Sequence, residues 1–335
     1  MLKFIIRRLL QLVVVLFILS VLLFAWLRAL PGGVVSAMLG ERATPESRAA
    51  LTEAFGLDQP LWVQYGKFLS RAVQGDFGVS TAVQPGTQST EILMTRLPAT
   101  IELSIVALTI ALVLAIPLGY LAARKRASLL DNLSIVGSLI GVAVPVFFLA
   151  FLLKYVFAIE LGWLPVSGRQ DVGDATRVTG FFVLDGLLTR EWDASWDALK
   201  HLILPGIALA SIPFAMIFRI TRASVLEVLD EDFVRTAQAK GLSHRVVRGR
   251  HVMRNALLPV ITAVGLQVGA LLAGAVLTET VFNFGGIGEA LKIAFSERDY
   301  PVLQLLVFVA ALTYVLVNLL VDILYAVVDP RVRTR

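Results

Sequence analysis

Apolar residues run along this chain in long unbroken blocks rather than in alternation. Six blocks stand out, Leu9–Leu30, Ala99–Ala123, Leu133–Ile159, Leu202–Ile220, Val260–Phe282 and Val302–Val328. About 20 mostly apolar residues in a helix cross a hydrocarbon core. Continuous runs predict helices, because a membrane strand would alternate lipid-facing and lumen-facing positions. The expected fold class is therefore an all-α polytopic membrane protein with six transmembrane helices. Pro205 and Pro213 interrupt the fourth block. Membrane helices tolerate proline where neighbours satisfy the freed carbonyls, so both read as packing kinks.

The polar stretches between the blocks divide the chain. Residues 1–30 form an anchor helix, because the run from Leu9 to Leu27 exceeds the 7–15-residue core of a cleaved signal. Residues 31–98 make a long loop in which Leu61, Tyr65, Phe68, Leu69 and Ala72 recur at helical spacing. That spacing predicts an amphipathic helix lying on the bundle. Residues 99–328 form the core, with a second long loop at 160–201 and a polar loop at 221–259, and 329–335 is a basic tail. The 160–201 loop is acidic and carries Trp192 and Trp196, as a cap over the bundle or a landing site for a partner would.

The 221–259 loop contains "DEDFVRTAQAKGLSHRVVRGRHVMRNALLP". Before Gly241 it predicts a helix with acids early and Lys240 late, the order the macrodipole favours. Gly241 suits the left-handed stop position. Ser243 is placed to cap a second helix beginning near His244, with Val246, Met253 and Leu257 on one apolar face.

Composition sharpens this picture. The chain is 57% hydrophobic and only 16% charged, with a formal net charge of +5 and no cysteine. A thiolate metal site or a thiol nucleophile is therefore excluded. The basic residues are segregated: Lys3, Arg7 and Arg8; Arg124, Lys125 and Arg126; Arg222, Arg235, Lys240, Arg245, Arg248, Arg250 and Arg254; Arg331, Arg333 and Arg335. These segments alternate with the others, so the positive-inside rule places all four, and both termini, in the cytoplasm. Between Glu160 and Lys200 seven acids face four bases. Trp26 and Trp163 fall at the opposite, outer span ends, where an interfacial belt belongs.

Three readings compete for the basic loop. A solvated positive-inside loop accounts for the arginines but not for the apolar face or the turn. A DNA-binding helix–turn–helix lacks a recognition set and runs into spans at both ends. A docking element fits best, because the small tip of Thr236, Ala237, Ala239 and Gly241 lets another backbone approach closely.

Catalysis finds no support. His201, His244 and His251 are the three histidines, with no H-E-x-x-H pattern, so neither a triad nor a metal site is expected. No phosphate-binding G-x-x-x-x-G-K-[ST] run occurs, and "FNFGGIG" reads as a tight outer turn into a re-entrant or capping segment. Of the ionisable residues near or within the blocks, Arg28 and Lys154 are expected to snorkel, Glu102 to be interfacial, and Arg219 and Arg222 to obey positive-inside. Asp322, with Asn318 one turn earlier, reads first as an interhelical hydrogen bond. Glu279, Asn283 and Asp322 are the candidates for a translocation path or gate.

The loop resembles the cytoplasmic "EAA" loop of ABC-importer permeases in the dipeptide, oligopeptide and nickel branch, where "RTAQAKGLS" is followed by "RNALLPV". Arg235, Thr236 and Ala237 stand where the general pattern has Glu-Ala-Ala. The likeness extends over nearly the whole chain, through "LPGG", "GLDQPLWVQY", "GDFGVS", "ILPGIALASIPF", "TETVFNFGGIG" and "NLLVDILYAVVDPRVR". "VSGR" and "TGFFVLDGLL" are similar to the dipeptide permeases. The resemblance implies a type I importer permease in the bacterial cytoplasmic membrane. It implies a second homologous permease, two ATP-binding subunits carrying ATP and Mg2+, and a solute-binding protein that delivers di- or oligopeptides from outside. It implies no cofactor on this chain and no nucleic acid. Asp232, Arg235, Thr236, Ala237, Lys240 and Gly241 would contact an ATP-binding subunit. Nickel chelates or haem are alternative cargo, and an ion-coupled secondary transporter is the alternative mechanism.

Overall fold

The computed structural model describes residues 2–29, 35, 44–55 and 57–328. The "LPGG" stretch and the basic tail therefore lie outside the described residues. Among those described the chain is helical, with one isolated antiparallel bridge between Val79 and Gln88.

Helix α1 (Leu2–Ala29) is the first long apolar helix. Two short helices follow, α2 (Pro45–Phe55) and α3 (Leu61–Val73). The bundle continues with α4 (Ser89–Arg124) and α5 (Leu129–Ala143). Next comes α6 (Val146–Leu153), running on as a π-helical turn over Lys154–Glu160. A loop with the short α7 (Phe182–Thr189) precedes α8 (Trp192–Leu229). The polar loop holds α9 (Asp232–Ala239), then a helical turn at His244–Val246 and a π-helical segment at Val247–Met253 that leads into α10 (Arg254–Phe282). Helices α11 (Ile287–Ser296) and α12 (Tyr300–Val328) complete the chain.

The centre of the bundle is the α4–α8 pair, and its sequence explains why. Ala99, Leu103, Ala107, Ala111 and Ala115 recur every fourth residue on α4, and all are wholly buried. Small residues at that spacing let two membrane helices approach closely, where dispersion contacts replace a hydrophobic drive. Gly119 continues the stripe: a Cβ there would lie 2.9 Å from the Phe218 carbonyl oxygen. Leu202, Leu209, Ile217 and Phe218 fill the facing side of α8. Helix α10 packs on α8, α12 packs on α10, and α1 leans on α12.

Two of the expected spans differ. The third block is broken, because α5 and α6 meet at 105° at Pro145. Pro145 offers no amide to continue α5 and biases Val144 toward extended backbone, so the helix stops and restarts. Among the described residues, five helices are long and apolar enough to cross a membrane, or six if the bent pair is one span. The fourth block is not interrupted, since α8 runs straight through Pro205 and Pro213, both buried against its neighbours.

The amphipathic helix expected in the first loop is α3. It lies against α1, with Tyr65 edge-on to Phe24 at 5.1 Å and its hydroxyl 2.7 Å from the Ser20 hydroxyl. The inward face is Gln64, Tyr65 and Phe68, while Leu61 and Leu69 point outward. Arg28 does not snorkel freely. It stacks on Phe24 and donates to the Gln64 side chain.

Candidate docking loop and the ties at the opposite end

Helix α9 starts at Asp232 and ends where Gly241 adopts φ +74°, the left-handed stop its sequence position anticipates. The helix has two faces. Val234 and Ala237 are buried in a cluster with Ala123, Val225, Val247, Val252 and Ala256, drawn from the ends of α4 and α8 and the start of α10. Asp232, Phe233, Arg235, Thr236, Gln238, Ala239, Lys240 and Gly241 are exposed. Asp232 and Arg235 face each other at 3.6 Å, an exposed pair of little stabilising value.

This arrangement corrects three expectations. Ala237 belongs to the chain's own core and offers no surface, because the helical period turns it inward with Val234. Phe233 and Leu242, not singled out from the sequence, are exposed apolar side chains beside the turn. Ser243 holds the N-cap position but its side chain makes no capping hydrogen bond. The apolar face beyond it is only partly as expected: Met253 and Leu257 pack against the core clusters, but Val246 is exposed, and Val247, Val252 and Ala256 are the buried residues. The reason is the π-helical segment Val247–Met253. Its i→i+5 bonding adds a residue to the turn, so the inward residues Val247 and Val252 fall five apart rather than three or four.

Arg222 does more than balance the loop's charge count. It forms a two-pronged pair with Asp131, at 2.6 and 2.8 Å, and Asp131 is almost fully buried. Asp131 also accepts from the Ala127 amide, and its own amide donates to the Ser128 hydroxyl, which caps α5. The start of α5 is thereby bolted to α8.

At the other end of the bundle, buried carboxylates bind backbone amides from distant segments. Glu279 is wholly buried. It accepts from the Thr100 hydroxyl at 2.5 Å and the Glu289 amide at 3.1 Å, while Thr100 accepts from the Ile287 amide at 2.9 Å. A carboxylate at the N-terminus of α11 meets unpaired amides and the positive end of the dipole. "FNFGGIG" is the turn into this capping helix, and a Cβ on Gly286 would fall on the Glu279 carboxylate. In this conformation Glu279 ties α4, α10 and α11 together and does not open on a passage. Asn283 closes α10 in the left-handed conformation, φ +48°, with its side chain exposed. The Asp322 side chain lies outside the described residues, and Asn318 lines a wedge between α1 and α12.

Glu102 is buried within the protein. It accepts from Arg169 at 2.8 Å and from the Val183 amide at 2.9 Å at the start of α7. Arg169 also lies 3.6 Å over the Phe182 ring. Burial pulls the Arg169 guanidinium below its usual value, and the Glu102 carboxylate opposes that. Asp299 accepts from the Ser80 hydroxyl and from the Thr81, Ala82 and Val83 amides. Lys154 donates to the Val281 carbonyl at 2.8 Å instead of reaching for solvent. Where no metal-ligating set was expected, His201 lies beside Asp171 and Asp197. A signal for some of these ties was available: a lone acid in an apolar block, as in "TIELS", must find donors once buried.

The long apolar helices define a polytopic membrane protein, and comparison with known proteins gives its class. The family described as "Binding-protein-dependent transport system inner membrane component" matches residues 115–334, and its N-terminal counterpart matches residues 1–105. The chain belongs to that family, as a multi-pass inner-membrane permease of an ABC importer. This sets aside the ion-coupled secondary transporter, and makes the chain a transport component of a multi-subunit complex rather than an enzyme. It is 46% identical over 335 residues to a di/tripeptide transport system permease of Pseudomonas aeruginosa, covering 99% of each chain. It is 44% identical over 334 residues to a dipeptide transport system permease of Alkalihalophilus pseudofirmus, covering 99% of this chain and 100% of the relative. A glutathione transport system permease of Escherichia coli is 38% identical over 333 residues, covering 99% of each.

Proposed function

We propose that this chain is one of two permease halves through which di- or oligopeptides pass, and that α9 is its coupling helix, seated in a cleft of an ATP-binding subunit. A second, homologous permease completes the passage, two ATP-binding subunits carrying ATP and Mg2+ sit beneath, and a solute-binding protein delivers the peptide from outside. The basic end faces the cytoplasm, and the end carrying the 160–201 loop faces outward. The likeness to peptide permeases over the full chain supports the cargo.

One observation carries the coupling assignment: α9 is welded by Val234 and Ala237 to the ends of three spans, while among the described residues its other face is exposed. A helix held that way transmits motion as a rigid body, so displacement of its socket tilts α8 and α10 together. The outward face of Asp232, Phe233, Arg235, Thr236, Lys240 and the Gly241 turn would meet the motor.

The test is Phe233→Asp, which leaves the buried face intact. Co-purification of the ATP-binding subunits and dipeptide uptake by reconstituted vesicles should both fall at least tenfold. Undiminished association and uptake would refute the docking assignment.

A further inference from the structure

The N-terminal part of α8 carries a constellation that the coupling assignment leaves unexplained. His201 is buried and Asp197 stands one helical turn before it, with Asp171 reaching in from the preceding loop. One potential ligand atom from each lies within 4.8 Å of the other two. The His201 Nδ1 is 2.9 Å from the Asp197 carbonyl oxygen. A carbonyl only accepts, so Nδ1 carries a proton, and metal binding would use the lone pair that Nε2 has when it carries none. That Nε2 is buried without a hydrogen-bond partner among the described residues. It points at Asp171 Oδ1, 3.5 Å away.

From this geometry we infer a divalent transition-metal site, of the class that takes Zn2+, formed by His201 Nε2, Asp171 and Asp197. A histidine ligand ordinarily donates its second nitrogen to a backbone carbonyl or carboxylate, which fixes ring and tautomer, and His201 is already arranged that way. Metal–ligand bonds of 2.0–2.2 Å in a tetrahedral set place neighbouring donors about 3.4 Å apart, close to the Nε2–Asp171 separation. Asp197 Oδ2 accepts from the Asp171 amide at 2.6 Å and more weakly from the Val172 amide at 3.4 Å. Its Oδ1 lies 3.9 Å from Nδ1, on the protonated side of the ring, and a small rotation of the carboxylate is what would bring it to a metal on Nε2. The same contacts hold Asp171 in place through its own backbone. Two carboxylates and a neutral imidazole favour a dication, and the exposed Asp171 leaves an entry path and room for water as a further ligand. The ion would pin the 160–201 loop to the rigid α8, at the end of the molecule remote from the docking helix.

The measurement uses the full-length protein in nanodiscs, stripped with a chelator and dialysed against micromolar Zn2+. Elemental analysis should find one zinc per chain, with at least tenfold weaker retention in both Asp171→Asn and His201→Gln. Hydrogen exchange over residues 168–176 should slow on adding Zn2+ to the parent protein and stay unchanged in Asp171→Asn. Absence of zinc from the parent protein, or equal retention by either variant, overturns the site. Equal retention would mark an adventitious ion only. Asp171 is 80% exposed, so its amide variant folds whatever His201→Gln does.

Discussion

The Asp131–Arg222 pair shows what a residue count conceals. Its arginine is one of many in a basic loop, yet it alone meets a buried carboxylate on another helix with two parallel hydrogen bonds, at 2.6 and 2.8 Å. Removing the acid strands a guanidinium that is 23% exposed. Asp131→Ala is therefore expected to cost about 2–3 kcal/mol, below the full penalty for a wholly buried charge. It should show as a lower unfolding temperature in detergent, and an unchanged temperature would mean the pair is dispensable. Asp185, in the loop before α8, supplies a pH test. Burial raises its pKa, but this is outweighed by donation from the Thr179 hydroxyl and the Thr179 and Gly180 amides, so the carboxyl titrates below its usual range. A depressed folded pKa contributes stability above the unfolded value of about 3.9 and loses it as pH falls through the folded one. Exchange protection of the Thr179 and Gly180 amides should therefore persist at pH 6 and collapse only at strong acidity. In Asp185→Asn it should be weakened already at pH 6, and full protection in that variant would contradict the assignment.

At the scale of elements, apolar blocks read well and their interruptions read poorly. Six blocks correspond to helices because length and hydropathy are local properties. The bend at Pro145 was hidden inside a continuous apolar run, whereas Pro205 and Pro213, read as kinks, lie inside the unbroken helix α8. The docking helix and its Gly241 stop were legible, since both follow from local backbone chemistry. Its inward face was only half legible, because Ala237 reads as part of the small-residue tip although the helical period turns it inward with Val234. Beyond Gly241, a 3.6-residue period does not hold through the π-helical segment. The carboxylate ties were missed because Glu102, Glu279 and Asp299 take donors from segments 80 or more residues away, or from turns whose shape no local pattern dictates. The seat of α9 is directly testable, and the absence of native cysteine makes the experiment clean. In an otherwise unchanged chain, Ala237→Cys should resist a soluble maleimide while Arg235→Cys reacts. Adding Val252→Asp places a charge in the seat and should expose Ala237→Cys, raising its labelling rate at least tenfold. Continued protection would mean that the cluster does not hold the helix.

For the molecule as a whole, the decisive property is which end faces which compartment. The exposed flanks of α1 and α5, with Leu10, Val13, Phe17, Leu133, Val136 and Ile140 all substantially uncovered, make an apolar belt that only lipid or a second permease would cover. Beyond one rim of that belt stand Arg124, Lys125, Arg126, Arg235 and Lys240, all exposed. Beyond the other stand Trp163, 68% exposed, and the acidic loop. Lysine and arginine near span ends are retained on the cytoplasmic side during insertion, whereas tryptophan favours either interface, so the cations set the direction. The proposed coupling depends on this direction, because a motor consuming cytoplasmic ATP would reach α9 only from that side. In spheroplasts, a membrane-impermeant maleimide should label Trp163→Cys at once and Lys240→Cys only after permeabilisation. Labelling of Lys240→Cys in sealed cells would reverse the orientation and detach α9 from any cytoplasmic motor. The buried ties and the His201 cluster would then keep their chemistry but face the other compartment.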